Sequence, residues 1–139
     1  MLAKQISVFI ENRQGRLGDV LDVLKKNGVN ILSLSLADTT EYGLLRIIVK
    51  NPDFGQKKLA ENGFSTMLTD VLVIKLTHEV GSLQKLLEIL SNNQINIEYM
   101  YGLSINGETA SVVLKASNLA LADKILLDNG FKTISIEEV

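Results

Sequence analysis

Two stretches, Asn12-Arg13-Gln14-Gly15-Arg16-Leu17 and His78-Glu79-Val80-Gly81-Ser82-Leu83, have residue types and spacing that could do chemistry, and that chemistry is the binding of an anionic group. Each joins an extended apolar run to a helical one. Before the first, Ile6-Ser7-Val8-Phe9-Ile10 is short and β-branched, the pattern of a strand. After it, Leu17, Val20, Leu21 and Leu24 recur at the spacing of one helix face, and Gly28 marks the stop. A strand-to-helix turn leaves the first helical N–H groups unpaired, with the positive end of the helix dipole behind them. A glycine there, lacking Cβ, lets a ligand come close to the backbone.

One such turn is weak evidence, since many are turns and nothing more. Here the pattern repeats. Gly81 stands under Gly15, Leu83 under Leu17, Leu87 under Leu21, Leu90 under Leu24, Asn93 under Asn27, Asn96 under Asn30 and Ile97 under Ile31. Leu86 and Ile89 fall under Val20 and Val23, so the apolar helix face is kept. In each half a strand follows (31–37; 97–103), then a polar turn, another strand (43–50; 109–115), a second helix and an Asn-Gly-Phe stop (62–64; 129–131) before a last strand. Each half reads β-α-β-β-α-β.

The elements that position the turns are legible in order. In 32–36, Leu32, Leu34 and Leu36 share one face and Ser33 and Ser35 the other, which predicts one buried side. The next strand, Leu44 to Val49, is apolar almost throughout, which predicts cover on both faces. Pro52-Asp53 prepares a helix start. Tyr99 and Tyr101 take the face held by Ser33 and Ser35, and their packing against the other half or another subunit outweighs direct ligand contact. The last helix, 119–129, reads as longer than its counterpart. No flexible linker separates the halves, which places domains at 1–70 and 71–139 in a rigid relation. Halves of about 70 residues have marginal cores alone and should pack together.

Composition narrows the function. With 14 basic and 16 acidic residues the net charge is −2, so bulk attraction to nucleic acid or an anionic membrane is not expected. No cysteine occurs, which excludes thiol catalysis, thiolate metal sites and disulfides. His78 is the single histidine, so a histidine-rich metal site is not available, and no serine stands in a Gly-x-Ser-x-Gly turn. Glu79, Glu98 and Glu108 show no repeated pairing for acid–base work. Gly15-Arg16-Leu17-Gly18 matches the GxxG of KH modules, but that loop joins two helices. Ile6 to Ile10 is too short for a signal peptide and no run reaches membrane-span length, which makes a cytoplasmic chain the default expectation.

The stretch Ile10 to Leu17 with Val29-Asn30-Ile31, and the stretch Leu76 to Leu83 with Ile95-Asn96-Ile97, resemble the ACT domain, once per half. Where that family usually has proline before the glycine, this chain has Gln14 and Val80. The match is similar to stand-alone tandem ACT proteins with no catalytic domain attached. The resemblance implies an α+β fold of two ferredoxin-like modules side by side, their antiparallel sheets joined into one larger sheet with helices on one face. It implies a non-catalytic, amino-acid-sensing regulator that needs no cofactor or metal, with a free amino acid held between modules. A homodimer is a further expectation, as is a regulatory role through contact with a separate catalytic chain.

The chemistry of a free amino acid suits these residues. Its carboxylate and ammonium need donors and acceptors together. The N–H groups at Gly15-Arg16-Leu17 and Gly81-Ser82-Leu83 supply donors, and the amides of Asn30 and Asn96 can serve either charge. Gln14 and Val80 complete the turns. Asn12, Arg13 and His78 are placed to read the ligand side chain.

Overall fold

The computed structural model describes residues 1–11, 13–38, 41–77, 79–105 and 109–138. Asn12 and His78 lie outside the described residues, as do Thr39-Thr40 in one turn and Asn106-Gly107-Glu108 in its counterpart. The elements run β1 (Ala3–Glu11), α1 (Arg16–Lys26), β2 (Ile31–Asp38), β3 (Tyr42–Val49), α2 (Pro52–Glu61), β4 (Ser65–Leu76), α3 (Ser82–Asn92), β5 (Ile97–Ile105), β6 (Thr109–Ala116), α4 (Leu119–Asp128) and β7 (Lys132–Thr133). A 3-10 turn, Ile136–Glu138, follows.

The chain divides into two compact units, Lys4–Thr69 and Asp70–Val139 together with Met1–Ala3. The first reads βαββαβ from β1 to the start of β4, with strand order β2-β3-β1-β4. The second reads βαββαβ from the end of β4 to β7, with order β5-β6-β4-β7. Strand β4 is continuous, so one strand closes the first motif and opens the second. This is the direct passage from Ser65 to Leu76 that the sequence predicts.

Hydrophobic periodicity explains the first unit. In the antiparallel β1–β3 ladder Ile6 faces Ile47 and Val8 faces Leu45, and both pairs are fully buried. Val20 and Leu24, one helical turn apart on α1, pack on that surface with Leu59 of α2 and Phe64. Truncating a side chain as buried as Leu24 to alanine costs about 2–5 kcal/mol. Helix α2 approaches closely at Gly55, where an added Cβ would stand 3.2 Å from Ile6 Cδ1. The second unit repeats the plan: Leu72 faces Leu114 and Ile74 faces Val112 across β4 and β6, under Leu86 and Leu90 of α3 and Leu126 of α4.

Helix ends are written alike. Asn27, Asn62, Asn93 and Asn129 each end a helix by donating the side-chain amide to the carbonyl four residues back, at 2.7–2.8 Å. The next residue is left-handed: Gly28, Gly63 and Gly130 with φ of +67°, +86° and +84°. In α3 that place falls to Gln94, with φ +56°.

The face of each unit's sheet away from its helices carries buried side chains too. Ile48 in the first unit and Val71, Val73 and Val113 in the second are fully buried. That agrees with the near-continuous apolar run of β3. Tyr99 and Tyr101 lie opposite Lys115 and Val113 on that face and are half-buried.

Two expectations need correction. Leu34 and Leu36 are 44% and 42% exposed, so they do not form a buried stripe. They pair with Ile47 and Leu45 on the helix side of the sheet, but β2 is the end strand of its unit's order, where cover runs out. Helix α4 is not longer than α2; each has ten residues. Both start after an asparagine N-cap, Asn51 and Asn118, and both stop at Asn-Gly, so the richer apolar content of α4 adds no length.

Candidate functional site

The turns are strand-to-helix junctions, as the sequence predicts, between β1 and α1 and between β4 and α3. Gly15 and Gly81 are the N-cap residues of α1 and α3, with φ of +88° and +86°, and neither helix has a side-chain cap among the described residues. In each turn the first helical N–H bonds back within the turn, Arg16 to the Arg13 carbonyl at 3.4 Å and Ser82 to the Glu79 carbonyl at 3.2 Å. The regular ladder begins at Asp19 and Lys85, which bond to the carbonyls of Gly15 and Gly81. The N–H groups of Leu17 and Gly18, and of Leu83 and Gln84, have no hydrogen-bond partner among the described residues. A pair of unpaired N–H groups at the positive end of an eleven-residue helix can hold a carboxylate.

The side chains around the turns differ. Arg13 is exposed, its Nε 3.2 Å from Glu11 Oε2. Gln14 and Val80 are both exposed, and Leu17 packs on the first core while Leu83 is 42% exposed. Arg16 folds inward: its guanidinium carbon lies 4.4 Å from the centre of the Phe64 ring and Nη1 lies 3.4 Å from Asp19 Oδ2. Its Nε is buried without a hydrogen-bond partner among the described residues. In the second unit Ser82 holds that position, and its Oγ accepts from Thr77 Oγ1 at 3.3 Å.

Space opens where the side chains are small. Two clefts flank the Gly81 turn. One, of about 450 Å³, runs between Gly81-Ser82 and the helix stop Gly130-Phe131, with Lys85 and Lys132 on its walls. The other, of about 510 Å³, is lined by Leu76, Ser82, Leu83, Gln84, Leu87 and Ala110. In the first unit a cleft of about 470 Å³ contains Asn30, with Leu21, Lys25 and Gly28.

Within a unit the structure does not bring the glycine turn and the asparagine together. Gly15 and Asn30 stand at opposite ends of α1, about 16 Å apart along an eleven-residue helix. Gly81 and Asn96 are likewise separated by α3. The backbone of each asparagine is engaged: Lys50 N–H donates to Asn30, Ser117 N–H donates to Asn96, and Asn96 N–H donates to Ser117 Oγ. Their side-chain amides have no partner among the described residues. Phe64, Phe131, Lys85 and Lys132 were not singled out from sequence. The Asn-Gly-Phe repeat was a signal, but it read only as a helix stop.

Among the described residues no helix is long and apolar enough to cross a membrane, and no cluster of three His, Cys, Asp or Glu side chains could hold a metal ion.

Two βαββαβ units with strand orders of the ferredoxin-like type, each opening its first helix at a left-handed glycine, define a tandem small-module protein. The chain belongs to the ACT domain family: the model of the ACT domain pair matches residues 1–139. A crystal structure of a protein from Bacteroides thetaiotaomicron is 38% identical and superposes with a TM-score of 0.90, covering 96% of this chain and 92% of that one. The ligand-free regulatory subunit of aspartate kinase from Thermus thermophilus is 18% identical with a TM-score of 0.61, over 90% of this chain and 91% of that one. The corresponding subunit from Thermus flavus is 19% identical with a TM-score of 0.60, over 90% and 88%. The latter two share the fold. No curated protein matches the sequence.

Proposed function

We propose that this ACT domain pair is a non-catalytic regulatory protein that binds a free amino acid, the ligand being held between modules. The observation that carries the reading is the doubled turn, in which Gly15 and Gly81 each leave two helix N–H groups without a partner among the described residues. Those groups take the ligand carboxylate. Asn30 and Asn96, whose side-chain amides have no partner among the described residues, take its ammonium or complete the carboxylate. Because a turn and its own asparagine are a helix length apart, a ligand that touches both draws them from different modules. Gln14, Arg16, Leu17, Val80, Ser82 and Leu83 shape the turns. Asn12, Arg13 and His78 read the ligand side chain.

Titration calorimetry of the full chain against amino acids tests this assignment. Asn30→Ala and Asn96→Ala lower affinity about tenfold where a charge-assisted hydrogen bond is lost. Unchanged affinity in both variants removes the asparagines from the site.

A second reading, regulation of an amino-acid metabolic enzyme by protein contact, is supported by the exposed Leu34 and Leu36 on strand β2. The two Thermus neighbours are regulatory subunits by name, and their fold is this one. Ligand binding and partner binding are compatible, because a ligand that orders an interface couples the two. The same leucines suit a homodimer. Sedimentation at the mass of one chain across a micromolar range would rule it out.

A further inference from the structure

We infer that the second unit carries a binding cleft for a small dianion, a dicarboxylate or a phosphate monoester, at the place that the first unit closes with its own Arg16. This goes beyond the amino-acid reading, since it concerns a ligand with two negative charges and no ammonium.

The comparison between repeats locates it. Phe64 and Phe131 occupy equivalent places after their helix stops, and Arg16 and Ser82 equivalent places after their glycines. In the first unit the guanidinium stands over the ring at 4.4 Å. In the second, serine leaves a cleft of about 450 Å³ beside Phe131, a volume in the range of small-molecule sites.

Charge decides what enters. Lys75, Lys85 and Lys132 line the cleft, against one carboxylate among the described residues, Glu79. Lys75 and Lys132 are register partners in the β4–β7 ladder, so their side chains leave the same face. Like charges opposite one another on a ladder are destabilising, and no carboxylate pairs with any of the three lysines among the described residues. A dianion between them relieves that repulsion and balances the excess charge. The first unit has no such set: Phe9, Asp19 and Ser65 stand where Lys75, Lys85 and Lys132 stand, and Asp19 already pairs with Arg16.

Titration calorimetry of the full chain with succinate and with inorganic phosphate at low ionic strength tests the proposal, with zwitterionic amino acids of zero net charge run alongside. The expected result is one site per chain whose affinity falls as salt is added. Lys132→Gln and Lys85→Glu weaken it at least about tenfold, and Ser82→Leu, which fills the space beside Phe131 without adding charge, abolishes it. Lys57→Gln, at an exposed lysine of α2 in the first unit, leaves the affinity within about twofold. Binding of succinate alone assigns a dicarboxylate, and of phosphate alone a phosphate ester. No heat with either probe, or unaltered titrations in Ser82→Leu and Lys132→Gln, overturns the cleft. Succinate carries no ammonium, so this result and the amino-acid titration can fail independently.

Discussion

Arg16 lies over the face of Phe64, 4.4 Å from the ring centre, and ties the start of α1 to the residue that follows α2. The contact joins the two helices of one unit at the end that carries the glycine turn. Phe64 is itself buried in the core, so the guanidinium acts as its lid.

Removing that lid has a measurable cost. Arg16→Ala lowers stability by about 1 kcal/mol, through the lost cation–π contact and lost stem packing. Phe64→Ala lowers it by about 3–5 kcal/mol because it also empties part of the core. Denaturant midpoints of the two variants and of the double variant give the coupling; additive effects would contradict a direct contact.

Gln94 offers the opposite sign. It holds φ +56° at the end of α3, where three other helices use glycine. Gln94→Gly raises stability by about 1 kcal/mol by relieving left-handed strain. Gly28→Ala, at φ +67° with no atom near the new Cβ, lowers it by a similar amount. Thermal denaturation of both variants checks the pair.

At the turns, Gly15→Ala and Gly81→Ala meet no atom within 4 Å, so their cost is strain at φ near +87°, about 1–2 kcal/mol each. The helices α1 and α3 stay folded on their cores. On the proposed function, relaxation of the turn moves the unpaired N–H groups and weakens amino-acid binding about tenfold. Calorimetry reads the affinity, and circular dichroism reads the helices.

The β-α-β-β-α-β order was legible because it rests on local signals written twice. Left-handed glycines, Asn-Gly stops and Pro52 at the start of α2 are properties of a few neighbouring residues, and each stands where the sequence places it. The continuity of β4 was readable from the missing linker. What the sequence did not disclose depends on distance. Arg16 and Phe64 are far apart in the chain, so their stacking has no local signature. Leu34 and Leu36 alternate as a buried stripe does, but burial depends on where the strand stands in the sheet. Lys75 and Lys132 are ordinary surface lysines until the β4–β7 register sets them opposite each other. For the candidate site, the glycine turns were readable, whereas the clefts beside Gly81 arise from elements brought together only by folding.

A thermal-shift panel of the twenty amino acids, at millimolar concentration on the full chain, tests the central claim most directly. A ligand that binds only the folded state must raise the melting temperature by mass action, by about 2.7 kcal/mol of stabilisation at a hundredfold excess over Kd. The account predicts a shift with one amino acid or a few of related side chain, reduced in Gly15→Ala and Gly81→Ala. No shift with any of the twenty, repeated in calorimetry, would contradict it.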